Sequence, residues 1–318
     1  MPRLHIRKHA VTFLIFTCLF VSNKSSLAEQ EITQSLDKLS TNELINKAEQ
    51  NDKNAQFKLG IRYADGRKAK KDNDKATHWL KKAAKQNHIP ALTKLGMIDL
   101  DIGNFDSAFK WFNEAAQKND PHAQAFLGTF YEKGIGVPAN SELAFTWYEK
   151  AATQGIPSAQ YIMGRIYKDK DSQEDLQTAI SWYKKSAEKG SADAMTQLGI
   201  FYMRGQGVPR NINNIEHSIK WFQQASLQGQ PLAQLSLGLI ASKTSQSSEG
   251  DIAAYTLLYA ATKNNPFYFK KPLDYDKDMV ESLLVQANRA LAQLEKKLSN
   301  DAIKQAHENA KQFSVGSW

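Results

Sequence analysis

The chain has 318 residues, 41 Lys and Arg against 33 Asp and Glu, and 42% hydrophobic residues. That is enough apolar material for one large domain or two ordinary ones, and charges of both signs are too evenly mixed for a nucleic-acid-binding chain. The single cysteine, Cys18, stands inside a leader-like segment, so the rest of the chain can form neither an internal disulfide nor a thiolate metal site.

The first element reads as an export signal. Arg3, Arg7 and Lys8 form a basic start, Val11 to Val21 is a mostly apolar run, and Ser26-Leu27-Ala28 places small residues where a signal peptidase reads. The run is about half of what a transmembrane helix needs, which argues against an uncleaved anchor. A cut between Ala28 and Glu29 leaves no integral membrane segment in the mature chain and sends it to the periplasm or out of the cell. The short leader and cysteine-free remainder favour a bacterial source. Residues 1–28 carry four of the basic residues (Arg3, Arg7, Lys8, Lys24) and no acid, so the remainder has 37 basic against 33 acidic residues, a modest +4. No Arg- or Lys-rich block with interleaved aromatics appears, which excludes nucleic acid as the expected partner.

Residues 29–53 hold one predicted helix, Thr41 to Asn51. A repeat then runs over residues 54–265. One block aligns on Trp79, Trp111, Trp147, Trp182 and Trp221, with Thr256 in the sixth register. Alanine stands three residues before in most copies (Ala76, Ala108, Ala144, Ala179, Ala253). A small pair begins four residues after: Ala83-Ala84, Ala115-Ala116, Ala151-Ala152, Ser186-Ala187, Ala225-Ser226 and Ala260-Ala261. The other block reads Ala-x-x-x-Leu-Gly-x-x-Tyr, from Ala55, Ala91, Ala123, Ala159, Ala194 and Ala233. Its glycines, five residues on, are Gly60, Gly96, Gly128, Gly164, Gly199 and Gly238. Both blocks show helical spacing, so each repeat is two helices, A then B. A glycine inside helix A costs about 1 kcal/mol against alanine, which asks for a packing reason, and close approach of helix B supplies one.

The helix ends agree with this division. Asp72, Asn104, Asn140, Asp175, Asn214 and Glu249 stand seven residues before the Trp register, and five of these six are good N-caps. Asn87, Asn119, Gly155, Gly190, Gly229 and Asn264 stand eight residues after it, and all tolerate the left-handed conformation that closes a helix. From each Trp to the next block's alanine the distance is always 12 residues, whereas from alanine to the register within a repeat it is 24, 20, 24, 23, 27 and 23. Length variation is thus confined to the loop between A and B. That loop holds GIGVPAN, residues 134–140, which looks like a phosphate loop. It follows a helix rather than a strand, lacks the lysine, and recurs in degraded form, so its glycines turn the chain.

Taken together, the pattern A-x-x-x-L-G-x-x-Y-x-x-G-x-G-V-P…A-x-x-W-Y-x-K-A-A-x-x-G resembles the Sel-one-like repeat, a relative of the tetratricopeptide repeat with a longer internal loop. The third copy, HAQAFLGTFYEKGIGVPANSELAFTWYEKAATQG, stands near the family consensus and the sixth is the most degenerate. The resemblance implies an all-α fold, a right-handed superhelical solenoid of six repeats with helical caps. It also implies a protein–protein interaction scaffold rather than an enzyme. Exported bacterial members look like mediators of envelope assembly, signalling or host contact, the last a virulence-associated role.

The flanks, residues 29–53 and 266–318, behave as the caps that a solenoid's ends need. Beyond Pro266 an amphipathic helix is expected from about Asp276 to Leu298, with Met279, Val280, Leu283, Leu284, Ala287, Leu291 and Leu294 on one side. A last helix, capped by Ser299 or Asn300, runs to about Gln312.

Catalytic and metal chemistry find no foothold. The five histidines outside the leader (His78, His88, His122, His217, His307) form no pair four apart, and the acidic Asp169-Lys170-Asp171 run lacks the glycine and final carboxylate of a calcium loop. No cofactor is expected. Two other classes stay open: a hydrolase acting on a cell-wall or β-lactam substrate, and a peptidoglycan-binding module that uses the tryptophans as a platform. Tryptophans at one fixed register are better read as interhelix packing.

The remaining candidate is a partner-binding groove. The face of helix A opposite its packing positions carries Phe57 and Ile61, Thr93 and Met97, Thr129 and Glu132, Tyr161, Arg165 and Lys168, Thr196, Ile200 and Met203, and Leu235 and Leu239. This set varies where the packing positions repeat, and its mixture of apolar and charged residues suits a polypeptide better than a polyanion. N-terminal sequencing of the exported protein is expected to begin at Glu29; a retained Met1 on membrane-bound protein would show an anchor instead.

Overall fold

The computed structural model describes residues 35–208, 213–264 and 277–313. The leader and the expected cut at Ala28 and Glu29 therefore lie outside the described residues, as does Pro266. Two compact units divide the chain after Asn140. Unit 1 opens with a helical turn, α1, described at residues 35–38, and the capping helix α2 (Thr41–Glu49). Two helix pairs follow, α3 (Lys53–Asp65) with α4 (Asn73–Lys85) and α5 (Ile89–Asp101) with α6 (Phe105–Gln117), then α7 (Pro121–Lys133). Unit 2 begins with α8 (Ser141–Thr153). Three pairs come next: α9 (Pro157–Lys168) with α10 (Gln173–Glu188), α11 (Ala192–Arg204) with α12 (Asn213–Leu227), and α13 (Pro231–Thr244) with α14 (Ser248–Tyr259). A π-helical turn, Ala260–Asn264, extends α14, and α15 (Lys277–Lys297) and α16 (Asn300–Ala310) end the unit. Among the described residues there is no strand, and consecutive helices pack as A–B repeats, as expected.

In five of the A–B pairs, helix A meets helix B where a side chain is missing. A methyl group on Gly60 would stand 2.6 Å from Leu80, on Gly96 2.7 Å from the Phe112 ring, and on Gly164 2.7 Å from the Tyr183 ring. At Gly199 the distance to Phe222 would be 2.5 Å, and at Gly238 to Leu258 2.7 Å. The knob that enters the gap is the residue after the tryptophan, and it is fully buried in each of these pairs. Trp79, Trp111, Trp147, Trp182 and Trp221 themselves are only half-buried. Lysines three residues on lie over the rings of Trp79, Trp147 and Trp182, at 4.4, 4.4 and 4.1 Å from their centroids. The tryptophans thus flank the interhelix contact rather than fill it, with aliphatic-stemmed cations over their outer faces.

The sixth register is displaced by one residue from Thr256. Leu258 is the knob against Gly238, and Ala254 is buried while Ala253 is exposed, so Leu257 occupies the tryptophan position.

Between repeats, the chain turns through a repeated hydrogen-bond pair. After α4, His88 N–H donates to the Ala83 carbonyl at 3.1 Å and Asn87 N–H to Ala84 at 2.9 Å. The same pair follows α6 on Ala115 and Ala116, α8 on Ala151 and Ala152, α10 on Ser186 and Ala187, and α12 on Ala225 and Ser226. These are Schellman closures, and Asn87, Asn119, Gly155, Gly190 and Gly229 all take positive φ to make them. A buried glutamine one residue after the helix A alanine adds a side-chain bond to the same turn. Gln56, Gln124 and Gln160 donate to the carbonyls of Ala48, Ala116 and Ala152 at 3.0, 3.4 and 3.1 Å. This fixes the 12-residue spacing.

The A–B loops close differently. The amides of Asp72, Asn104 and Asn140 donate to the carbonyls of Tyr63, Asp99 and Tyr131, all eight residues after the helix A alanine. Whatever lies between these two points is free to vary. Gly134 and Gly205 cap their helices in the left-handed conformation, confirming that the loop glycines turn the chain. Their partners do more: a methyl on Gly207 would stand 3.0 Å from Leu176 of the preceding B helix.

Caps differ from expectation in α10 and α14. Ser172 and Ser247, not Asp175 and Glu249, accept the first-turn amides, and the two acids sit inside the first turn, where the helix dipole favours them. Asn214 is likewise the second residue of α12, and Asn104 holds the N-cap position without a side-chain bond.

At the ends, Ser40 and Glu43 form a capping box on α2, and the buried Arg62 donates to the Leu39 carbonyl at 2.6 Å, tying α1 down. At the other end Val280, Ala287, Leu291 and Leu294 of α15 join the core of unit 2. Tyr255 donates to Glu295 at 3.0 Å and lies 3.2 Å from His307 Nε2, fastening α14 to both terminal helices. Burial, together with the Glu295 carboxylate, raises the Tyr255 phenol above its ordinary range.

Were Gly96 an ordinary helix glycine, alanine there would stabilise α5 by about 1 kcal/mol. The Phe112 contact reverses the sign. Gly96→Ala is expected to lower the thermal midpoint, costing about 1–3 kcal/mol, and the cost should shrink when Phe112→Leu is combined with it. A higher midpoint for Gly96→Ala, or strictly additive costs, would refute the contact.

Candidate interaction surface

The A-helix face predicted as a groove is not uniform. In unit 1, Phe57 is half-buried and lies against His88, the rings tilted by 31° with centroids 4.3 Å apart. Ile61 is half-buried, Thr93 buried, and Met97 is 37% exposed. Thr129 is half-buried with its hydroxyl on the Ala125 carbonyl, and Glu132 is exposed.

In unit 2, Tyr161, Arg165 and Lys168 share one face of α9 and all are half-buried. Tyr161 does not point wholly away from helix B: its ring lies 5.6 Å from that of Tyr183, the knob of its own repeat. Lys168 approaches Asp169 at 3.8 Å. Along α11, Thr196 is buried and turned back onto the Ala192 carbonyl, Ile200 is buried, and Met203 is 40% exposed. On α13, Leu235 and Leu239 are buried in the same core as the apolar side of α15. These positions are apolar because the chain's own C-terminal helix covers them, not because a partner does.

What the structure does bring together is a cleft of about 220 Å³ where Lys168, Ile200, Gln197, Arg204 and Met279 converge. Leu176 and Phe201 supply apolar walls, and Asp171 stands at the rim with Lys168. Gln197 is 3% exposed, so its amide is among the few buried polar groups that border open space. Sequence reasoning missed Gln197, Arg204 and Met279. The first two lie one position beyond the predicted offsets of helix A, and Met279 arrives from a helix whose placement no repeat pattern specifies.

The histidines are dispersed. His78 meets Trp79 edge-on, His217 stacks on Tyr202, and His307 joins Tyr255 and Tyr259. Among the described residues no three metal-ligating side chains cluster, and no helix is long and apolar enough to cross a membrane.

Paired helices that repeat their packing and vary their outward face define an α/α repeat protein of the interaction-scaffold class. The chain belongs to the Sel1 repeat family, which matches it over residues 53–88, 91–120, 121–156, 157–191 and 192–230, more than half of its length. The sixth pair, α13 with α14, falls outside that match although it keeps the glycine–knob contact. Similar solved structures include a protective antigen of uropathogenic Escherichia coli with an SLR fold. It is 26% identical, with a TM-score of 0.68, over 86% of this chain and 55% of that one. Another is a Sel1 repeat protein from Oxalobacter formigenes, 29% identical with a TM-score of 0.56, over 64% of this chain and 89% of that one. An uncharacterised protein of Neisseria meningitidis serogroup B is 39% identical over 89 residues, 28% of this chain and 19% of that protein. The chain thus spans about half of the E. coli antigen and under a fifth of the meningococcal relative. Proteins of this fold are generally non-catalytic scaffolds for protein–protein interaction.

His88 gives the Phe57 end of the face a measurable signature. Burial first, and the Lys53 charge second, lower its pKa from 6.5 to about 4. The folded protein holds this imidazole neutral while the unfolded chain protonates it, so stability falls as pH drops from 6.5 towards 4 and levels off below. His88→Gln should flatten that part of the pH profile of the urea midpoint; an unchanged slope would contradict the burial of His88.

Proposed function

We propose that the protein is an exported scaffold that holds a polypeptide partner against the outward face of its A helices, in envelope assembly, signalling or host interaction. The observation that carries this reading is the contrast within α9. Its Ala159, Met163 and Gly164 are buried packing positions, whereas Tyr161, Arg165 and Lys168 form a half-buried aromatic-cationic strip beside the cleft at Gln197 and Arg204. Tyrosine and arginine at a partly desolvated site are the composition of an interface hot spot. The leader-like first 28 residues support export, and the description of the E. coli relative as a protective antigen fits a protein found outside the cytoplasm.

Affinity purification of the full chain from envelope and culture-fluid fractions tests the reading. The double variant Arg165→Ala/Lys168→Ala should keep its helical content, and Tyr161 is left in place because it packs on Tyr183. Binding to the recovered partner is expected to weaken by roughly 2 kcal/mol or more. Unchanged affinity with an intact fold would move the site off α9.

A further inference from the structure

Three of the register tryptophans have their outer face covered by the lysine three residues on, at 4.1 to 4.4 Å. Trp111 does not. Its equivalent position is Glu114, which is drawn instead to Lys118 at 3.5 Å. The indole, with no lysine over it, borders a cleft of about 420 Å³ between α4 and α6, whose other walls include His78, Lys81, Lys82, Lys85 and the Glu114 that Lys118 draws aside. The ring is held in place, since its Nε1–H donates to Asp99 at 2.9 Å and Ser107 donates to the same carboxylate oxygen at 2.5 Å. Lys81 and Lys85 are exposed, and among the described residues neither meets a carboxylate. A fixed, half-buried indole beside the exposed Lys81 and Lys85 occurs here, whereas a lysine covers the ring in three other copies.

We infer that this cleft binds an acidic saccharide, a pyranose whose apolar ring face stacks on Trp111 while its carboxylate or phosphate engages Lys81 and Lys85. Lysines alone would take any anion, but an anion without a flat apolar face leaves the indole in water. A neutral sugar would satisfy the indole and leave the cations unanswered. Only a ligand that carries both features is complementary to the whole cleft. The site lies on the B helices, so it is independent of the polypeptide reading on the A-helix face.

The test is titration calorimetry of the full chain with four probes: tetragalacturonate, glucose 6-phosphate, neutral maltotetraose and tetraglutamate. Binding of tetragalacturonate, glucose 6-phosphate or both supports the site and tells carboxylate from phosphate recognition. Equal binding of maltotetraose, or binding of tetraglutamate as tight as either acidic sugar, overturns it in favour of a neutral-glycan or an acidic-peptide surface. The discriminating variant is Glu114→Lys, which restores the lysine cover over Trp111 while raising the net charge by two. It should bind the acidic sugar about tenfold more weakly, the scale of one aromatic stacking contact. Lys81→Ala/Lys85→Ala should weaken it about tenfold and reduce the dependence on salt. All three residues lie at the surface, and circular dichroism checks that the fold survives. Tighter or unchanged binding by Glu114→Lys would show that charge alone attracts the ligand and would overturn the proposal.

Discussion

In five of the repeats, helix A and helix B can approach as closely as they do only because one residue of A has no side chain. The glycine leaves a socket, and a single large residue of B fills it: leucine in the first and sixth pairs, phenylalanine in the second and fifth, tyrosine in the fourth. Everything else in the repeat is arranged around that contact. The small residues four and five places after the tryptophan let the next A helix come near, and the tryptophan itself lies half outside, its face free to be covered or left open. A glycine in mid-helix is unfavourable in isolation, so its recurrence is intelligible only through the knob it admits.

The two kinds of connection divide the labour between rigidity and variation. The turn between repeats uses every available group: two backbone closures, a left-handed residue and, in several copies, a buried glutamine amide on the same carbonyls. Such a turn has no room for insertion. In the first three repeats the A–B loop is held by one backbone bond at its base, which leaves its length free to vary without disturbing the helices. Variation in length on one side of the repeat, and in side chain on the A-helix face, follows from the same economy of fixed bonds.

Much of this was legible in the sequence, because helix-breaking residues carry unambiguous meaning. Glycine at five residues after alanine, asparagine or glycine at eight after tryptophan, and proline opening the next helix each signal a local geometry. The knob escaped notice because its identity changes from Leu80 to Phe112 to Tyr183, which hides a constant position behind variable chemistry. Gln56, Gln124 and Gln160 repeat in plain sight, yet a glutamine's role depends on which carbonyl it finds. Ala253 and Ala254 stand side by side, so the sixth register could be set one residue early, and only the Leu258 contact decides between them. For the candidate surface the limit was different. Leu235 and Leu239 look like a groove until α15 is placed, and nothing local in the sequence says where a capping helix will lie.

Gln234 has a consequence for how the molecule folds. In three other copies the equivalent amide bonds to a carbonyl eight residues earlier, but in the last repeat it donates to the Phe313 carbonyl at 3.1 Å, 79 residues away. The Tyr255–His307 contact spans 52 residues. The inter-repeat turns, by contrast, join near neighbours and carry little loop-closure entropy. Contacts between neighbouring repeats of unit 2 are thus local in sequence, whereas the C-terminal seal needs partners 52 and 79 residues away. A nascent chain exposes the apolar flank of α13 until α15 and α16 have been made. The interval between those two events is when this face is open to contact with other molecules.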